Sequence, residues 1–176
     1  MANDDAPGKP IRAFLESEEG KNLFPDCPFR QDLDRLHEFD AASANMILSH
    51  MLGHIIDHKA GLPCRDDSGD VISAIDQDGI NDELRYVYND CNNRELNEAR
   101  RGNPDVDPGD KPEYRGFGPE QRGCLGADAR AELMADAIRV YMENPNYLKT
   151  VAPNAAARIR AAVNSNPSLN RIIQFN

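Results

Sequence analysis

Between Met46 and Ile56 apolar residues fall on almost every side of a helical wheel: Met46, Ile47, Met51, Leu52, Ile55 and Ile56. A helix of that kind is buried rather than half-solvated. Asp40 or Ser43 can cap its start, and Gly61 and Pro63 stop it, so the pattern predicts a helix over about 42–59. A second strong helix is predicted over about 128–143, rich in alanine and aliphatic residues and ended by Asn144-Pro145. Weaker signals surround these two. Leu33, Leu36 and Phe39 recur at helical spacing, Val71, Ser73 and Ile75 alternate like a short strand within 69–75, and 80–89 reads as a helix. Short helices are expected over 146–151 and 154–163, each set off by proline. Arg101 to Leu125 is rich in glycine, proline and charge and is expected to be a long surface loop. The expected fold is mainly α with a small sheet: a loop-rich segment over 1–30, then one domain over 31–176.

Composition narrows the partners. The 176 residues suit a single domain, and 40% hydrophobic content is enough for a core. Thirty acids against twenty bases give a net charge of −10, which repels nucleic acid and anionic lipid alike. No apolar run approaches the ~20 residues of a membrane span. The first ten residues have neither a basic n-region nor an apolar h-region. They read as the start of an excised or processed segment rather than as a signal peptide. Cys27, Cys64, Cys91 and Cys124 form no C-x-x-C pair, which excludes a zinc ribbon or a thioredoxin motif. Four widely spaced cysteines allow two disulfides in three connectivities, or four buried thiols. The prolines beside Cys27 and Cys64 tilt the expectation toward bridges and an oxidising compartment.

The candidate chemistry lies on the two strong helices. His50, His54 and His58 share the first, and spacing of four stacks neighbouring imidazoles on one face, close enough to share a metal ion. His50-Met51-Leu52-Gly53-His54 is the H-E-x-x-H pattern with methionine in place of glutamate. The second helix carries Glu132-Leu133-Met134-Ala135-Asp136, two carboxylates one turn apart on one face. Alone, Glu132 would be a solvated residue favoured by the helix dipole; beside paired histidines it becomes a third ligand, with Asp136 steadying the shell. A second register, His54-Ile55-Ile56-Asp57-His58, has the reversed H-x-x-E-H order with aspartate for glutamate. His37-Glu38 reads as a surface pair, and Asp76-Gln77-Asp78-Gly79 with Asn81 as a turn and helix cap rather than a calcium loop. His58 and Tyr114 are candidates for steadying an oxyanion.

The paired histidines with the E-x-x-x-D helix resemble the gluzincins, the thermolysin-like branch of the zinc metallopeptidases. The resemblance implies that His50, His54 and Glu132 bind Zn²⁺, that Asp136 orients a ligand histidine, and that peptide bonds are hydrolysed by zinc-activated water. The chain also resembles the zincin-like toxin domains at the C-termini of type VI secretion VgrG-type and Rhs effectors. Residues 135–142 and 144–153 and the Ile172-Ile173-Gln174-Phe175-Asn176 ending carry that likeness, which spans roughly the last three quarters of the chain. It implies a protein or peptide substrate, a VgrG-type or Rhs carrier, a cognate immunity protein and action in a target cell's periplasm. The departure is Met51, in the slot of the glutamate general base. Methionine cannot accept a proton from the attacking water, and loss of a base costs ~10²–10⁴-fold in rate. The expected domain is therefore an attenuated or inactive metallopeptidase. The rivals are a non-catalytic zinc-binding protein-interaction module and a structural domain held by calcium or disulfides.

Overall fold

Helix α1, Ala41–Ala60, runs through the middle of the fold and packs along much of its length against α4, Gly126–Glu143. The computed structural model describes residues 17–18 and 41–176. The helical pattern seen at Leu33, Leu36 and Phe39, and the 1–30 segment, lie outside the described residues apart from positions 17 and 18. Helix α1 ends where the Gly61 amide closes on the Asp57 carbonyl at 2.8 Å. A hairpin follows, β1 (Leu62–Arg65) antiparallel to β2 (Val71–Ala74), with Leu62 opposite Ala74 and Arg65 opposite Val71. Its tip is organised by Asp66, whose Oδ1 accepts from the Ser68 and Asp70 amides at 2.9 and 2.8 Å.

Next come α2 (Asn81–Asn92) and α3 (Arg94–Gly102), two short 3-10 turns at Pro112–Tyr114 and Pro119–Arg122, and then α4. Three proline-led helices complete the chain: α5 (Pro145–Val151), α6 (Pro153–Ser165) and α7 (Pro167–Asn170). Proline suits these starts because its missing N–H has no intrahelical partner there. The architecture is thus mainly helical with a two-stranded antiparallel sheet among the described residues.

One continuous core joins Leu48, Ile55 and Ile56 of α1 to Leu84, Val87 and Tyr88 of α2, Leu133, Met134 and Ile138 of α4, and Ile159 and Val163 of α6. The closing tail joins it through Phe175, which stacks on Tyr141 at 4.5 Å between ring centroids. Helices α1 and α4 meet backbone to backbone at Gly53: a Cβ there would stand 2.2 Å from the Ala135 carbonyl oxygen. Gly53→Ala must therefore push the two helices apart, at a cost of about 1–3 kcal/mol or more. Thermal denaturation of the variant should show a markedly lower midpoint, and an unchanged midpoint would mean the helices can part freely.

Two expectations change. The stretch 101–125 is, from 103 on, a largely exposed surface loop as expected, with two short 3-10 turns, but it does not hang free of the fold. Residues 101–102 end α3, and Pro108, Tyr114, Gly118 and Pro119 are buried. Asn89 holds the segment, donating from Nδ2 to the Tyr114 carbonyl at 2.9 Å and accepting from the Phe117 amide at 2.8 Å. Asn93 adds a bond to the Glu113 carbonyl at 3.0 Å. The pair of disulfides is not formed either: Cys64, Cys91 and Cys124 are free thiols, and Cys27 lies outside the described residues. Burial pushes the Cys91 thiol up to about 11, so this side chain behaves as a small core residue.

Candidate metal centre

Because α1 is helical, His50 and His54 stand one turn apart on the face turned to α4, and their rings meet edge to face at 4.7 Å. Their Nε2 atoms are 3.1 Å apart. Glu132 of α4 reaches both, one carboxylate oxygen 3.2 Å from His50 Nε2 and the other 3.2 Å from His54 Nε2. His50, His54 and Glu132 thus form a cluster that could hold a metal ion. All three are half-buried, with side-chain exposures of 26%, 19% and 26%, so the cluster is shielded yet open on one side.

Asp136, one turn beyond Glu132, accepts from His50 Nδ1 at 2.8 Å. That bond settles the tautomer: with Nδ1–H given to Asp136, the neutral ring presents a lone pair at Nε2 toward the cluster. Asp136 is itself held by two groups that sequence reasoning missed. Arg139 donates from Nε to its Oδ1 at 2.9 Å, and Asn92 of α2 hydrogen-bonds its Oδ2. Arg139, buried as well, also reaches Glu143 at 3.0 Å. The spacing of three from Asp136 to Arg139 was a usable signal; Asn92, from a distant helix, offered none. A third missed neighbour is Tyr88, whose hydroxyl is buried without a hydrogen-bond partner. Burial pushes that phenol up to about 12; Arg122 opposes the shift, and the charges of Asp136 and Glu132 add to it.

The remaining candidates are placed elsewhere. His58 is exposed, and its Nδ1 lies 3.2 Å from the Ser73 carbonyl of β2. It ties the helix end to the hairpin and is not part of the donor cluster. Tyr114 is buried within the 112–122 segment, with the Lys111 ammonium 5.3 Å over its ring, and it is not part of the donor cluster among the described residues. Met51 is only 8% exposed and packs within the hydrophobic core.

No protein-family model matches the chain, and no curated protein or solved structure matches it either. The site must therefore be read from its own chemistry.

Electrostatics make the cluster internally consistent. Burial alone would lower the His50 pKa, but hydrogen bonds to Asp136 and Glu132 overcome it and raise it to about 9. The same two histidines hold the Glu132 carboxyl well below the usual carboxylate range, against its burial. Asp136 is also held low, because His50 and Arg139 outweigh the penalty of burying it. In the metal-free protein His50 is thus an imidazolium between two carboxylates. Its raised pKa contributes stability fully present below 6.5 and lost as pH rises through about 9. The depressed Glu132 contributes stability present above 4.5 and lost as pH falls below it. In chelator, the difference in melting temperature between the chain and His50→Gln should therefore be largest, several degrees, between pH 4.5 and 6.5. It should shrink toward zero above pH 9. Taking the difference removes other titrations, notably that of Asp57. A difference that does not vary with pH would show that His50 is not charged in the fold.

Proposed function

We propose that this chain is a zincin-like metallopeptidase domain that binds one Zn²⁺ through His50, His54 and Glu132, with hydrolysis attenuated by Met51. The observation that carries the reading is the donor triangle. Its edges of 3.1, 3.2 and 3.2 Å are close to the about 3.3–3.4 Å between ligands of a tetrahedral zinc with bonds of 2.0–2.1 Å. Two imidazole nitrogens and one carboxylate is also the donor set of catalytic zinc sites that leave a fourth position open. Asp136 supports it from behind, as carboxylates do for ligand histidines.

When bound, zinc lowers the pKa of water toward ~7 and polarises a carbonyl. The chain's own residues do the rest. Glu132 supplies negative charge and ties α4 to α1, Asp136 with Arg139 and Asn92 aims His50 Nε2, and Gly53 lets the helices approach. A proton acceptor is what the arrangement lacks at position 51. The substrate would be a protein or peptide, and the effector role, delivered by a VgrG-type or Rhs carrier into a target periplasm, belongs to the same proposal on the strength of the sequence segments. No described helix is long and apolar enough to cross a membrane.

The second reading, a zinc-dependent module that holds a protein without cutting it, is favoured by one observation: Met51 is packed as a core residue rather than left exposed. Metal analysis of protein purified without added metal tests what the two share. About one zinc per chain is expected. Protein that neither carries zinc nor takes it up at equimolar concentration would remove both readings.

A further inference from the structure

Beneath the hairpin, one helical turn along α1 from His54, lies a pocket of 320 Å³. It is walled by Leu62, Ile72 and Ala74 on the hairpin side and by Ala127 and Ala131 of α4. Ala131 immediately precedes Glu132, and Asp57 follows His54 by three residues, so the pocket draws on the same two helices as the metal cluster. The hairpin is fastened over it by Asp67, which accepts from the Ala127 amide and from Arg130 at 3.1 Å.

Much of the remaining lining is polar: the carboxylates Asp57, Asp76 and Asp78, the amide Gln77, and two arginines, Arg65 and Arg130. Asp57 is only 4% exposed and lines the pocket. Its Oδ1 accepts from the Ile75 amide at 2.7 Å, the one side-chain hydrogen bond Asp57 makes among the described residues. The two arginines of the lining are engaged elsewhere, Arg130 with Asp67 and Arg65 with the Gly69 carbonyl, and no ion pair joins either to Asp57 among the described residues. Gln77 donates from Nε2 to the Arg130 carbonyl at 2.7 Å, and its Oε1 is buried without a hydrogen-bond partner. A buried carboxylate and a buried amide oxygen left unpaired are costly, and a donor brought to them removes that cost. Burial, only partly opposed by the Ile75 amide, pushes the Asp57 carboxyl up to about 7, the behaviour of a carboxylate lacking a cation.

We infer that this pocket is a subsite for a basic side chain of the substrate, a lysine or arginine whose aliphatic stem lies between the hairpin and α4 and whose cationic head donates to Asp57 and Gln77 Oε1. The aliphatic part of the lining suits the stem, and a carboxylate and an amide oxygen that lack partners suit a multi-donor head. Asp57 and Gln77 are then specificity-determining residues for the proposed peptidase, and in that sense the inference rests on that reading. The binding itself does not need hydrolysis and can be measured apart from it.

The test is a backbone and side-chain amide NMR titration of the zinc-loaded chain with N-acetyl-arginine amide, beside N-acetyl-norleucine amide. Saturable shifts at the Ile75 amide and the Gln77 side chain are expected with arginine, and at least ~10-fold weaker binding with norleucine. Asp57→Asn should weaken arginine binding by a similar factor. Should that variant fold poorly by its spectrum, Gln77→Met removes the second acceptor from a turn and should weaken binding several-fold. Equal affinity for the two probes, undiminished arginine binding in a folded variant, or no saturation up to tens of millimolar would each overturn the subsite. A cation-selective pocket in a chain whose glutamate variant at position 51 cleaves nothing would instead leave the subsite standing and remove the peptidase.

Discussion

Under the proposed peptidase reading, replacing Met51 by glutamate should raise peptide hydrolysis by at least about 100-fold over the chain as it stands, the lower end of what a positioned base supplies. Position 51 follows His50 on α1, where the zincin pattern places its base, and both residues are unbranched helix formers. Met51 is 8% exposed, so an introduced carboxylate is partly desolvated. Desolvation raises its pKa toward the working range of a general base. The same burial costs about 1–3 kcal/mol, so a lower melting temperature should accompany the gain. Met51→Gln separates the two effects: it carries a similar shape and polarity but accepts no proton, and it should lose stability without gaining rate. The measurement is turnover of a broad fluorogenic peptide library by all three proteins at equal zinc occupancy. A glutamate variant that is folded, holds zinc and yet cleaves nothing ends the peptidase reading and leaves the binding module.

The second large effect is on metal affinity. His54→Ala removes one of three donors, and stoichiometric zinc should be lost. Asp136→Asn should keep the site but weaken it by about 10–100-fold, the usual cost of a lost partner behind a ligand histidine. Asp136 also pairs with the buried Arg139, so some stability is lost as well. His58→Ala should leave affinity nearly as it was, because His58 engages the Ser73 carbonyl and stands apart from the cluster. Competition with a chromogenic zinc chelator compares the chain with these variants and with His50→Ala in one format. If His58→Ala loses the metal while His50→Ala keeps it, the reversed H-x-x-D-H register is the correct one.

The sequence by itself determined the two helices and, through them, the candidate donors. Apolar residues around Met46–Ile56 and through Leu133–Val140 define helices whatever lies beside them, and i, i+4 spacing is a local property that stacks His50 on His54 and Glu132 near Asp136. The tertiary structure alone decided the rest, since each remaining feature depends on contacts between distant segments. Strand β1 is exposed at every residue and shows no alternation; it exists because β2 pairs with it. Helix α3 is mostly charged, with Leu96 its one buried residue, and its start is set by the Asn93 side chain accepting from the Leu96 amide. The 101–125 segment has a loop's composition, yet Asn89 and Asn93 pin it with side-chain bonds no local pattern announces. Asn92 reaches Asp136 across 44 positions, and Asp57 and Gln77 line one pocket that exists only once the hairpin folds back on α4. Helical periodicity is written in neighbouring residues; the partner of a buried polar group is chosen by packing.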